Sequence, residues 1–234
     1  MMAKRAIAAQ DIADVLDHSL LRPDITVEEL KYGCLLAKEY RCVSVCVRPS
    51  DLPIVTRELQ GTDVLCTTVI AFPHGTATTH AKLFEIQDAV SHGAVEVDMV
   101  LNYARLLSGD DAYVEDEIAS AARAAHDGGA LIKVIFENYY LSDLQKIQCC
   151  RMCKRADVDF IKTSTGYAPG GATVADLKLM AAHAQGMRVK AAGGVKTLDE
   201  ALAMMAAGAA RIGTRASKEI LQQARARGDS LFIE

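Results

Sequence analysis

The chain has 234 residues, half of them hydrophobic, which is enough for one large domain with a substantial buried core. Its net charge of -4 and pI near 5.9 argue against an electrostatic nucleic-acid binder, and its Lys and Arg residues are scattered. No run approaches the roughly 18 uncharged apolar residues of a membrane span, and the N-terminal stretch lacks the apolar segment of a secretory signal. We therefore expect a soluble, cytoplasmic protein that binds neither nucleic acid nor membrane.

Eight short apolar runs with the length of β-strands recur along the chain. In chain order they are VLDHSLL from Val15, SVCV from Ser44, LCTTVIAF from Leu65, AVEVDMV from Ala94, LIKVIFE from Leu131, FIKTST from Phe160, RVKAAG from Arg188 and ARIGT from Ala210. Most are continuously apolar rather than alternating. This pattern is typical of parallel strands that are buried on both faces of a sheet.

The segments between these runs are rich in Ala, Leu, Glu and Lys and carry helix start and stop signals. Capping boxes are predicted at Thr26 with Glu29, Ser142 with Gln145 and Thr197 with Glu200. Glycines that can end a helix in the left-handed conformation precede a strand at Gly93, Gly129, Gly186 and Gly208. The sequence therefore predicts helices between successive strands.

This alternation predicts an α/β protein with one domain, a single (β/α)8 TIM barrel spanning residues 1–234. No linker or low-complexity segment divides the chain. A doubly wound open sheet is the alternative, and it is weakened because no GxGxxG motif follows the first strand. In a TIM barrel, functional side chains lie at the carboxyl ends of the strands and in the loops that follow them.

The seven cysteines indicate reduced thiols rather than a disulfide framework, because their number is odd and the chain looks intracellular. The segment CCRMC at 149–153 suggests part of a zinc motif. No second CxxC pair and no spaced histidine pair completes a tetrahedral site, so we predict no metal. Helical spacing places Cys149 and Cys153 on one face, where we expect them to be core residues.

Ionisable residues collect in the predicted strands or just after them, namely Asp17, Glu96, Asp98, Lys133, Glu137, Lys162 and Lys190. Three of them are lysines on three successive strands, each flanked by apolar residues. In one interpretation, each lysine points outward and extends its ammonium group to solvent. Because all three interrupt buried runs, we favour the other interpretation, in which they point together into the barrel.

Lysines in such a cluster are suited to reactions at carbonyl groups. Neighbouring ammonium groups disfavour each other's charged form, and desolvation acts in the same direction, so a lysine can be partly neutral near pH 7. A neutral lysine forms a Schiff base, whose protonated form withdraws electrons without a metal or an organic cofactor. Asp98 is placed to move protons among the intermediates. The spacing does not decide which of Lys133, Lys162 and Lys190 forms the adduct.

Glycines collect near the same end of the predicted barrel. Gly166 follows the sixth strand, Gly193 and Gly194 follow the seventh, and Gly213 lies in the eighth-strand segment. Barrels often bind phosphate in the loops after the last two strands, where unhindered amides and a helix N-terminus face the anion. The alternative is that these are ordinary turn glycines. Their common position favours a phosphate site.

Eight segments of the chain resemble the deoxyribose-phosphate aldolases, which are class I aldolases with a (β/α)8 barrel. They are LDHSLL (16–21), SVCVRP (44–49), TTVIAFPHG (67–75), GAVEVDMVLN (93–102), LIKVIFEN (131–138), DFIKTSTG (159–166), VKAAGGVKT (189–197) and RIGT (211–214). The resemblance covers nearly the whole chain, and KTSTG together with VKAAGG is its most specific part. It implies reversible cleavage of 2-deoxyribose 5-phosphate into acetaldehyde and glyceraldehyde 3-phosphate, without a cofactor.

The resemblance also implies a role for each candidate residue. Lys162 is the Schiff-base lysine, Lys190 is the second lysine that lowers its pKa, and Asp98 is the proton-relay carboxylate. The residues expected to contact the substrate elsewhere are Ser19, Lys133 and Thr165. The residues expected to hold its phosphate are Gly166, Gly193, Gly194, Gly213 and Arg215.

Three positions depart from the family pattern. Ser19 replaces a common threonine and keeps the hydroxyl, and Ala71 replaces the glycine of GFPHG, where we expect a tighter backbone turn. After the last strand, GTRA at 213–216 replaces a segment whose two serines hold the substrate phosphate in relatives. Arg215 either turns inward and clamps the phosphate, or turns outward and leaves weaker discrimination against free sugars.

Two alternatives to this function stay open. A related lysine-dependent aldolase would use a different sugar phosphate or aldehyde acceptor, as the change at Arg215 permits. A non-catalytic barrel would bind a phosphorylated metabolite without turnover, although a binder has no need of two adjacent lysines. The sequence does not decide between a homodimer and a homotetramer either.

Overall fold

The computed structural model describes residues 5–228 and 231–233, and its centre is a closed barrel of parallel strands. The barrel strands β1–β8 are Leu16–Leu20, Ser44–Val47, Leu65–Ile70, Glu96–Val100, Leu131–Ile135, Phe160–Lys162, Arg188–Ala192 and Arg211–Thr214. Each pairs in parallel with the next strand in the chain, and β8 pairs with β1 to close the ring. The predicted (β/α)8 fold is confirmed, because each of the eight predicted runs contains one barrel strand.

Helices connect the strands and surround the barrel. In the described part of the chain, α1–α10 are Ala9–Ala13, Val27–Tyr40, Leu52–Leu59, Thr79–Ser91, Tyr103–Leu107, Asp111–Asp127, Asp143–Arg155, Val174–His183, Leu198–Ala206 and Ser217–Arg227. Two short 3-10 helices, Pro49–Asp51 and Asn138–Tyr140, complete the described helical segments. The three predicted capping boxes open α2, α7 and α9. All four glycines predicted to end helices have positive φ angles.

The core lies between the barrel and its helices. In β4, Val97 and Met99 are fully buried in this core, so the alternating side chains of Glu96 and Asp98 point into the barrel interior. β4 therefore combines an apolar outer face with two acidic side chains on its inner face. The inner face is what positions the candidate site.

The cysteines belong to the buried part of the molecule. All seven are buried and free, and Cys149 and Cys153 are completely inaccessible on one side of α7. The prediction that these two are core residues is confirmed. Burial raises the pKa of Cys149 and of Cys153 far above the usual range of a thiol, which suits small hydrophobic residues.

A small antiparallel pair of strands, which the sequence did not predict, joins the two ends of the described chain. Arg5–Ala6 pairs with Phe232–Ile233, and Ile7 donates a backbone hydrogen bond to Leu231 at 3.0 Å. Residues 1–4, the first part of the stretch considered as a secretory signal, lie outside the described residues. None of the helices within 5–228 has the length and apolar character that crossing a membrane requires.

Candidate active site

Two of the three predicted lysines meet on one carboxylate oxygen inside the barrel. Lys162 ends β6, and its Nζ donates to Oδ2 of Asp98 at 2.7 Å. Lys190 on β7 donates to the same oxygen, also at 2.7 Å, and lies level with Lys162 because the two residues are register partners. Both side chains are at most 3% exposed. The lysines therefore point inward, and the interpretation in which they reach outward to solvent is wrong.

The third lysine lies one layer deeper. Lys133 is the register partner of Phe160, two residues before Lys162, so its side chain starts closer to the floor of the barrel. Its Nζ is 2.5 Å from Oε2 of Glu96 and 2.9 Å from Oδ1 of Asp98, and it is fully buried. The sequence predicted that Lys133 lines the substrate pocket. The structure corrects this expectation, because Lys133 lies beneath the pocket and supports Asp98 from below.

Arg211 on β8 completes the ionic network and was not singled out from the sequence. Its guanidinium group is 2.7 Å from Oδ1 of Asp17 and 2.9 Å from Oε1 of Glu96. The second oxygen of Asp17 accepts a hydrogen bond from Lys190. Each carboxylate in the barrel thus bridges at least two cations, which is how buried charges are stabilised away from water.

The two neighbouring lysines have opposite pKa shifts. Burial lowers the pKa of Lys162 below its ordinary value of 10.5, and the charge of Lys190 lowers it further, against the opposing attraction of Asp98. Burial also acts to lower the pKa of Lys190, but Asp17 and Asp98 together outweigh it and raise that pKa above the ordinary value. Lys190 therefore stays charged, whereas Lys162 is the lysine poised to become neutral.

Asp98 and Asp17 remain ionised despite their burial. Burial would raise the pKa of Asp98, but the charges of Lys133, Lys162 and Lys190 hold it well below its usual range. The same balance lowers the pKa of Asp17, whose cationic neighbours also outweigh its burial. Before any reaction, Asp98 is thus a charged acceptor between the two lysines at neutral pH.

A cavity of about 460 Å³ opens above the lysine pair at the carboxyl end of the barrel. The predicted site residues in its lining are Ser19, Lys162, Thr165, Gly166, Lys190, Gly193, Gly194, Gly213 and Arg215. Asp98 lies below the lining, behind the two ammonium groups. The sequence did not single out Cys46, Tyr167 and Lys196, which also line the cavity.

Close packing constrains two glycines of this cavity, Gly193 and Gly213, and positive φ angles constrain three. A Cβ on Gly193 would lie 3.1 Å from the Cα atoms of both Gly166 and Gly171, and one on Gly213 would lie 3.3 Å from Cε of Lys190. Gly166, Gly193 and Gly194 also have positive φ angles between 85° and 89°. The loops after β6 and β7 therefore present uncovered backbone toward the cavity, as anion-binding loops do, and Gly213 lies within β8.

Arg215 lies at the rim of this cavity, just before α10. Its side chain is exposed, and no ion pair to it is found among the described residues. A cation free of carboxylate partners at the start of a helix is available to an anionic ligand.

The hydroxyl groups predicted to contact substrate differ in their availability. Ser19 lines the cavity, and its hydroxyl makes no hydrogen bond to another described residue. Thr165 also lines it, but its hydroxyl donates to Oε2 of Glu137 and accepts from the backbone N–H of Tyr167 at 3.1 Å. Ala71, in the turn beyond β3, has φ of +51°, a left-handed conformation that glycine adopts readily.

The network offers no set of metal ligands. Over residues 5–228 and 231–233, no group of three or more His, Cys, Asp or Glu side chains is arranged to hold a metal ion. The carboxylates of the barrel are already paired with lysine and arginine side chains.

These features define a class of protein. Two lysines share one buried carboxylate at the carboxyl end of a TIM barrel, and one of them has a lowered pKa. Uncovered glycine loops and an exposed arginine surround the same cavity. Such a site suits Schiff-base chemistry on a carbonyl compound that carries an anionic group.

Comparison with known proteins identifies the family. The family described as DeoC/LacD family aldolase matches residues 8–223. A deoxyribose-phosphate aldolase of Caldanaerobacter subterraneus subsp. tengcongensis is 43% identical over 229 residues, covering 97% of this chain and 99% of that protein. A deoxyribose-phosphate aldolase of a Thermoanaerobacter species is 46% identical over 215 residues, covering 91% and 96%. The chain therefore belongs to the DeoC/LacD family of aldolases, which makes it a lyase.

A solved structure supports the same assignment. The deoxyribose-phosphate aldolase of Aeropyrum pernix, described as a unique tetrameric structure, is 30% identical. It superposes with a TM-score of 0.87 and covers 93% of this chain and 92% of its own. The barrel and its loops thus follow those of a known aldolase over almost their whole length.

Proposed function

We propose that this chain is a class I deoxyribose-phosphate aldolase that cleaves 2-deoxy-D-ribose 5-phosphate into acetaldehyde and D-glyceraldehyde 3-phosphate, reversibly. The observation that carries the proposal is the contrast between the two lysines that face the cavity. Lys162 has one carboxylate partner and a lowered pKa, whereas Lys190 has two partners and a raised one. We therefore assign the covalent adduct to Lys162, among the three lysines that spacing alone left open.

In the proposed mechanism, neutral Lys162 attacks C1 of the open-chain sugar, and the carbinolamine loses water to give an iminium ion. The iminium withdraws electrons as the C2–C3 bond breaks, and the C3 hydroxyl loses its proton to become the aldehyde of glyceraldehyde 3-phosphate. The remaining enamine takes a proton at C2, and hydrolysis releases acetaldehyde and frees Lys162. Asp98 contacts both lysines at 2.7 Å, so it can pass protons to and from these intermediates.

The phosphate is proposed to bind at the opposite side of the cavity from Asp98. Gly166, Gly193 and Gly194 leave their backbone uncovered there, and Ala216 lines the cavity at the start of α10. Arg215, which follows the last strand, adds an exposed guanidinium group on this rim. An arginine replaces two neutral hydroxyl donors of the family pattern with charged donors.

The proposal is tested by assay and by covalent trapping. The purified chain should release glyceraldehyde 3-phosphate from 2-deoxyribose 5-phosphate, measured with a coupled dehydrogenase. Borohydride reduction with acetaldehyde should add one two-carbon unit, and peptide mapping should find it on Lys162. A label on Lys133 or Lys190 would overturn the assignment of the nucleophile.

The change at Arg215 favours a second candidate, a related aldolase for a different sugar phosphate. A panel of phosphorylated aldoses in the same assay separates the two, because the proposed enzyme should prefer 2-deoxyribose 5-phosphate. A barrel that only binds a phosphorylated metabolite would show neither turnover nor trapping. The shared carboxylate between Lys162 and Lys190 argues against that reading.

Assembly and location remain predictions. The tetrameric description belongs to the Aeropyrum pernix enzyme, and it supports a homo-oligomer here, either a homodimer or a homotetramer. Large apolar side chains on the surface, including Phe84 at 70% and Leu144 at 79% exposure, are consistent with such contacts. Light scattering during gel filtration would give the number of subunits. A cytoplasmic location follows from the sequence argument alone.

A further inference from the structure

Glu137 is a buried carboxylate that the mechanism above does not use. It follows β5 and has a left-handed backbone, with φ of +58° and ψ of +64°, which is unusual for a residue other than glycine. Glu137 is only 2% exposed. Non-glycine residues in this conformation concentrate at functional sites, where the surrounding contacts hold them.

The backbone around Glu137 is fixed to the strand that carries Lys162. Phe136 donates to the carbonyl of Lys162 at 3.0 Å, and Asn138 donates to the carbonyl of Thr163 at 2.9 Å. The residue between these two bonds has little freedom to move. Its side chain is thereby directed at the segment that follows β6.

The carboxylate of Glu137 holds Thr165 by its side chain and its backbone. Oε2 accepts from the hydroxyl of Thr165, and both oxygens lie 3.3 Å from its backbone N–H. The Thr165 hydroxyl has a single proton, which is thus given to Glu137, and it accepts from the N–H of Tyr167. The segment Thr165–Tyr167 forms one wall of the cavity, and Tyr167 reaches across it to donate to the carbonyl of Leu21 at 2.7 Å.

We infer that Glu137 is a positioning residue, which fixes the Thr165–Tyr167 wall and so sets the affinity for the sugar phosphate without acting in the Schiff-base chemistry of Lys162. This inference rests on the proposed function for its substrate. Burial raises the pKa of Glu137, and its bonds to Thr165 and the charge of Lys162 offset this in part. A neutral oxygen can accept the bonds from Thr165 as well. An amide at position 137 should therefore replace the carboxyl group.

The test compares Glu137→Gln and Glu137→Ala in two assays. Glu137→Ala should raise KM for 2-deoxyribose 5-phosphate about tenfold or more, while borohydride trapping of acetaldehyde on Lys162 changes less than about threefold. Glu137→Gln should restore both values to within about threefold of the wild type. A matched control is Asp159→Ala, because Asp159 also accepts a backbone N–H across neighbouring strands, that of Ile132 at 2.9 Å. Asp159 directly precedes β6 at the amino end of the barrel and is absent from the lining of this cavity, so KM should not change.

Thr165→Val tests the same contact from its other end and covers the case in which Glu137→Ala does not fold. It should raise KM to a similar extent, and the double variant with Glu137→Gln should be no worse. The inference is overturned if Glu137→Gln is as damaging as Glu137→Ala, if trapping falls together with affinity, or if KM stays unchanged in Thr165→Val. A wild-type chain that does not cleave the sugar phosphate overturns the proposed function itself.

Discussion

Lys162 and Lys190 are the same residue type at the same level of adjacent strands, yet their environments differ. Lys162 ends β6 and donates to Asp98 alone, whereas Lys190 lies in the middle of β7 and donates to Asp98 and Asp17. Burial lowers the pKa of both, and only the second carboxylate reverses the direction at Lys190. The number of carboxylate partners, not burial, thus decides which of these two lysines has the lowered pKa.

The largest effect is expected from replacing Lys162, the proposed nucleophile. Lys162→Met should abolish trapping of acetaldehyde and reduce turnover by at least about 10⁴-fold, the scale of losing a covalent nucleophile. Lys178→Met, an exposed lysine on α8, is the control and should keep wild-type activity. Residual trapping in Lys162→Met would show that a second lysine also forms the adduct, and this would contradict the assignment to Lys162 alone.

Removing Lys190 should shift the pH dependence of adduct formation at Lys162. In Lys190→Leu, a like charge disappears and Asp98 is left to pair with Lys162, so both effects raise the pKa of Lys162. A higher pKa leaves less neutral amine at a given pH, so the rise of adduct formation with pH should move to more alkaline values. Turnover near pH 7 should fall by roughly 10²-fold or more. An unchanged pH profile in an active variant would contradict the coupling.

Lys190 has two carboxylate partners and Lys162 has one, whereas Arg215 has none among the described residues. If it turns toward the bound phosphate, Arg215→Ala should lower kcat/KM for 2-deoxyribose 5-phosphate by between about 10- and 100-fold, since a charge-assisted pair contributes about 1.5–3 kcal/mol. The free sugar 2-deoxyribose should be affected less than about threefold. If the wild type treats the two sugars alike, the arginine does not serve the phosphate.

The smallest expected effect concerns chelation. If the iminium of Lys162 is the electron sink, extensive treatment with EDTA should change turnover by less than about twofold. The measurement is the rate before and after dialysis against the chelator, with added divalent ions as the return step. Loss of activity that a divalent ion restores would place the electron sink elsewhere than on Lys162.

The barrel could be predicted from the sequence because its outer face carries a strong signal. The outer faces of the barrel strands are buried against the helices, so the strands appear in the sequence as apolar runs. Glycines such as Gly93 and Gly208 mark the helix ends between them. The pair Arg5–Ala6 and Phe232–Ile233 was missed because two residues show no periodicity, and its partners lie at opposite ends of the chain.

The site was predicted in part, and depth in the barrel explains the remainder. A sequence gives which strand positions alternate inward, but the stagger between strands decides which layer each one occupies. Lys133 therefore looked equivalent to Lys162, although register places it beside Phe160 in a lower layer. Arg211 was hidden within an apolar run, and the contact of Glu137 with Thr165 joins residues 28 positions apart. Neither has a local sequence signal.

The ionic network of the barrel has one consequence for how its total charge changes during a reaction. With every group ionised, it contains one more positive than negative charge, carried by Lys133, Lys162, Lys190 and Arg211 against Asp17, Glu96 and Asp98. When Lys162 gives up its proton, the interior becomes electrically neutral. In the proposed mechanism the iminium returns a positive charge to the same nitrogen, so the surrounding dipoles need little reorganisation when that intermediate forms.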